Sequence, residues 1–128
     1  MIRQITDHLY VGNATDAVER GEEYDNIVSL ATPPKKHTTE NYLLNDGEHD
    51  YEQFKQAVDS VINKLKDKQT VLVHCQAGMS RSVSVCIAAY VSSTDVDFNT
   101  AFDKCRHGFQ YPASQLLDSA RKYIKEQD

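Results

Sequence analysis

A thiol, a guanidinium, two hydroxyls and a glycine fall within the short run His74-Cys75-Gln76-Ala77-Gly78-Met79-Ser80-Arg81-Ser82. The run follows Thr70-Val71-Leu72-Val73, a β-branched stretch that reads as a central strand, and it precedes a segment from Ser82 to Ser93 that is apolar almost all round and reads as a buried helix. A loop between a strand end and a helix start presents unpaired backbone N–H groups at the positive pole of the helix, which is a site for an anion. Gly78 lets the backbone turn tightly around that anion. Arg81 adds a planar fork for two phosphate oxygens. Cys75 stands at the loop entrance, where the same positive field favours a thiolate. Together these residues describe a nucleophile beneath a bound phosphoryl group. Ser82 can donate its hydroxyl to the sulfur and ease its departure from phosphorus, and His74 is expected to orient the loop through its ring.

Several elements must hold that loop in place. His8-Leu9-Tyr10-Val11-Gly12 reads as a first strand, Asn26 to Ala31 as a second and Asn41-Tyr42-Leu43-Leu44 as a third. Asp50 caps a helix, with Gln53 three residues on completing a capping-box pattern. The apolar residues Tyr51, Phe54, Val58, Val61, Ile62 and Leu65 give that helix one buried face. Phe98, Ala101, Phe102 and Cys105 mark another helix, and Pro112 can start a last one whose face is Leu116, Leu117, Ala120, Tyr123 and Ile124. Thr32-Pro33-Pro34-Lys35-Lys36 reads as a surface loop. The pattern predicts one α/β domain over residues 1–128, a small, mostly parallel central sheet with helices packed on both faces.

Composition narrows the partners. The chain has 128 residues, 40% hydrophobic and 26% charged, with a net charge of −5. That balance disfavours nucleic acid, which needs a basic stripe, and an anionic membrane surface. The apolar stretch from Val83 to Val91 is too short to span a bilayer, and the N-terminus lacks the apolar core of a secretory signal. Cys75, Cys86 and Cys105 form no C-x-x-C pair and fit a reducing cytoplasm. Cys86 and Cys105 lie on apolar helix faces and read as core. His37, His49 and His107 have no metal-ligand partners at useful spacing, so no metal or other cofactor is expected.

His74-Cys75-x5-Arg81-Ser82 resembles the signature of cysteine-dependent protein tyrosine phosphatases, and the full string HCQAGMSRS resembles their dual-specificity branch. His8 to Gly12 and Asp25 to Ala31 are similar to that family's first two strands, and the length suits a compact catalytic domain of this branch. The resemblance implies a phosphocysteine intermediate on Cys75, with Arg81 and the backbone amides from Gln76 to Arg81, through Ala77, Gly78, Met79 and Ser80, around the phosphate. It also implies a general acid on an upstream loop. Asp46 matches that position, with Glu48 and Asp50 as rivals, and Asp50 already serves as a helix cap. Phosphorylated proteins are the implied substrates, phosphotyrosine and phosphoserine or phosphothreonine alike, handled by a monomer. Phosphate binding without turnover, a non-protein phosphate ester and sulfur transfer are the competing readings. One departure stands out. Family members often carry an asparagine beside a proline after the fourth helix to brace the loop, whereas this chain has Pro112-Ala113.

Overall fold

Strand β5 (Val71–Cys75) is hydrogen-bonded on both sides, and every one of its residues is buried. The computed structural model describes residues 2–31, 36–76, 80–106 and 111–127. On one side β5 runs parallel to β2 (Leu9–Asn13), with Gly12 opposite His74 and Asn13 opposite Cys75. On the other it runs parallel to β3 (Asn26–Ser29), with Val28 opposite Val73 and Ser29 opposite His74. Short edge strands complete the sheet, β1 (Arg3–Gln4) antiparallel to β2 and β4 (Glu40–Asn41) parallel to β3, in the order β1-β2-β5-β3-β4.

Alternation along the strands divides the core. Val71, Val73 and Cys75 join Leu9, Val11 and Val28 in the larger cluster. It is covered by α2 (Tyr51–Lys66), α3 (Ser80–Ser93), α4 (Phe98–Cys105) and α5 (Ser114–Glu126). Leu72 and Ile27 face the other way and pack with Ala17 of α1 (Ala14–Arg20). Helices therefore lie on both faces of a mostly parallel sheet, as the sequence predicts, with four of the described α-helices against the larger cluster and the short α1 against the smaller one.

Four local readings need correction. The third strand is only Glu40–Asn41, because beyond it the chain peels from the sheet; Leu43 is 54% exposed, and Leu44 keeps one amide bond to the Leu30 carbonyl. Asp50 caps α2 through the amide of Glu52 at 3.0 Å, not through a reciprocal pair with Gln53. Helix α3 starts at Ser80, ahead of Ser82, and α5 starts at Ser114, beyond Pro112. Parts of the Thr32–Lys36 loop and residues 77–79 and 107–110 lie outside the described residues.

The reciprocal capping box occurs instead at α1, where Asn13 Oδ1 accepts from Asp16 N–H at 2.8 Å and Asp16 Oδ2 accepts from Asn13 N–H at 3.0 Å. The absent side chain at Gly12 makes room for it, since a Cβ there would lie 3.0 Å from Asp16 Oδ2. Asn13→Ala is expected to lower stability by about 1 kcal/mol, the usual worth of such a cap. Urea unfolding reads this directly, and an unchanged midpoint with an unchanged slope would contradict it.

Candidate active site

Cys75 closes β5, and Ser80 and Arg81 open α3, so both flanks of the expected anion loop stand at the predicted strand–helix junction. Cys75 is 1% exposed, with its Sγ 3.3 Å from the hydroxyl of fully buried Ser82. His74 is also buried. Its carbonyl accepts from Leu30 N–H at 2.9 Å, and its Nδ1 lies 3.3 Å from the Cys75 carbonyl. A carbonyl only accepts, so that ring nitrogen is the donor. Both contacts involve the backbone next to Cys75, the first through the His74 main chain and the second through its ring.

Ser80 supplies a brace that the sequence did not identify. Its hydroxyl accepts from Ala113 N–H at 2.8 Å, and its carbonyl accepts from Ser84 Oγ at 2.9 Å. The loop is thus tied to the segment after α4, the place where relatives of the resembled family carry their asparagine. Gln76 is exposed at the other end of the loop, and Ala77, Gly78 and Met79 lie outside the described residues.

Arg81 reaches across to the segment before α2, where its Nη1 donates to the Leu44 carbonyl at 2.9 Å. Its Nε is buried and has no acceptor among the described residues. A buried guanidinium donor left unmet is costly, and an oxyanion would relieve that cost. Asp46 is exposed and stands two residues beyond the carbonyl that Arg81 holds. Between Asp46 and α2, Gly47 adopts φ +111°, which disfavours any side chain there. The rival Asp50 is committed to its cap, and Glu48 is exposed.

Cys86 and Cys105 are buried in the core, and all three cysteines are free. Burial pushes the Cys86 thiol well up and the Cys105 thiol up to about 12. Both remain neutral near pH 7, so neither is a ready nucleophile. Volume alone does not mark the chemistry: a cavity of about 540 Å³, lined by Asn63, Lys66, Ser92 and Gln127 among others, sits at the far end of α3 from Ser80. Among the described residues no group of three His, Cys, Asp or Glu side chains could hold a metal ion, and no helix is long and apolar enough to cross a membrane.

Residues 7–122 match the family model for the dual specificity phosphatase catalytic domain. MAP kinase phosphatase with leucine-rich repeats protein 1 of Dictyostelium discoideum is 30% identical over 134 aligned residues, covering 95% of this chain and 16% of the relative. Human dual specificity protein phosphatase 9 is 28% identical, covering 97% of this chain and 37% of its own length. The chain therefore spans well under half of these relatives. The crystal structure of human DUSP28 superposes with a TM-score of 0.81 at 17% identity, over 98% of this chain and 96% of that one, which fixes the fold.

The contrast between the three thiols is testable. Peroxide should modify Cys75 before Cys86 or Cys105, because the two helix thiols stay protonated, whereas Cys75 borders the expected anion loop. Peptide mapping by mass spectrometry after brief treatment checks this, and first modification at Cys86 or Cys105 with Cys75 intact would contradict it.

Proposed function

The chain belongs to the dual specificity phosphatase catalytic-domain family, and on that premise we propose that it hydrolyses phosphate monoesters on proteins through a phosphocysteine at Cys75. The observation that carries this reading is the Cys75–Ser82 contact at 3.3 Å, set at a strand–helix junction beside Arg81. The Cys75 thiolate attacks phosphorus in line as the P–O bond to the leaving oxygen breaks. Arg81 and the loop amides hold the equatorial oxygens, whose charge they match without a metal. Asp46 gives its proton to the leaving oxygen. Its carboxylate then takes a proton from water as that water attacks phosphorus, the S–P bond breaks, and the Ser82 hydroxyl steadies the returning thiolate.

Substrate class follows from what surrounds the loop. Gln76, Ala77, Met79 and Ser80 carry no charge, and the chain's net charge is −5. Neither feature suits the extra phosphates of a phosphoinositide or an anionic membrane. We therefore assign phosphotyrosine, with phosphoserine and phosphothreonine as slower substrates, to a monomer acting in the cytoplasm. The presence of both Cys75 and Arg81 favours turnover over phosphate binding alone.

Phosphate release from a phosphotyrosine peptide, a phosphothreonine peptide and a soluble phosphoinositide tests both halves of the reading. The expected order of kcat/KM places phosphotyrosine first and the phosphoinositide last, in EDTA as in its absence. Cys75→Ser should abolish turnover, since an alcohol near pH 7 is far less nucleophilic than a thiolate. Preference for the phosphoinositide would overturn the substrate class, and near-normal turnover by Cys75→Ser would overturn the mechanism. Asp46→Asn should slow esters with poor leaving groups by ~10²–10⁴ and spare good ones. If Glu48→Gln or Asp50→Asn shows that pattern instead, Asp46 is not the acid.

A further inference from the structure

The segment that carries Asp46 is fastened at both ends. At its start the Leu44 N–H donates to the Leu30 carbonyl at 3.3 Å, and the Leu44 carbonyl accepts from Arg81 at 2.9 Å. At its end stands His49, a residue that neither the helix cap nor the phosphate chemistry explains. Its Nδ1 lies 2.7 Å from the Gly47 carbonyl, and its Nε2 lies 2.7 Å from Ser119 Oγ on α5. Its ring also packs 5.8 Å from that of fully buried Phe54. Because the carbonyl can only accept, Nδ1 carries a proton; in the neutral ring Nε2 then accepts from the Ser119 hydroxyl. Among the described residues, its chain neighbours aside, no atom lies within 4 Å of where a Cβ on Gly47 would be, and Gly47 adopts a left-handed φ. The contact that holds its carbonyl is the bond from His49.

We propose that His49 is a positioning residue for proton transfer: braced by Ser119, it holds the Gly47 carbonyl and with it the backbone that aims Asp46 at the leaving oxygen. This rests on Asp46 being the acid. A proton donor must come within hydrogen-bond reach of the atom it serves, and small displacements are costly in rate. Asp46 is exposed, so its aim depends on its backbone rather than on packing of its own side chain.

A purely structural staple would affect all substrates alike, whereas a positioning role depends on the leaving group. With the full chain, His49→Ala should lower kcat/KM for phenyl phosphate about tenfold or more and for p-nitrophenyl phosphate only about twofold. Ser119→Ala should show the same pattern more weakly, and it carries the test if His49→Ala fails to fold, as judged from its thermal midpoint. His49→Asn, whose amide can donate to the same carbonyl, should recover part of the loss. In an Asp46→Asn background, His49→Ala should cost nothing further. Equal losses on both esters, or no loss, overturn the proposal. A loss on phenyl phosphate in Asp46→Asn without one in His49→Ala or Ser119→Ala overturns the positioning role alone. Full activity of Asp46→Asn on phenyl phosphate overturns the acid assignment and the positioning role together.

Discussion

The parallel pairing of β5 between β2 and β3 is the constraint on which the site depends. Parallel neighbours send their carboxyl ends to the same edge of the sheet, where ligands of such folds collect. Cys75 ends β5 there, opposite Asn13 at the end of β2, and Leu30 just past β3 donates to the His74 carbonyl. With every residue of β5 buried and hydrogen-bonded into the sheet, the sulfur has little freedom. Placement of the proposed nucleophile is therefore a property of the core and not of the loop that surrounds it.

Two further links turn that placement into a site. Ser80 ties the start of α3 to Ala113, and Arg81 ties it to Leu44. The first holds the start of α3 against the residue that precedes α5. The second joins α3 to the segment bearing Asp46, so the side chain proposed to bind phosphate also holds the neighbourhood of the proposed acid. The Nε of Arg81, buried without an acceptor among the described residues, has hydrogen-bonding capacity in reserve for an oxyanion.

The candidate site was more legible in the sequence than the scaffolding. Cys75, Arg81 and Ser82 stood out by type and spacing at an expected strand–helix junction, and the buried strand and helix beside them were legible from apolar runs. Helix α1 escaped notice because its seven residues bury only Ala17; the Asn13–Asp16 pair was its signal. The third strand was overextended because Leu43 and Leu44 look like strand residues, yet only Leu44 turns inward. The Ser80 brace and the His49 clasp could not be read at all, since each joins residues far apart in the chain, Ser80 with Ala113 and His49 with Ser119. Serine and histidine contribute nothing to periodicity that would announce such contacts.

The central claim is that the phosphoryl group passes through the sulfur of Cys75. Quenching the Asp46→Asn protein with denaturant at alkaline pH during turnover of p-nitrophenyl phosphate tests it most directly, because a good leaving group still departs while water is poorly activated. The phosphoryl group is expected to accumulate as an S-phosphocysteine, kept at alkaline pH and mapped by mass spectrometry to the peptide containing Cys75. Turnover with the phosphoryl group on a different residue, or with Cys75 never phosphorylated at any quench time, would contradict it.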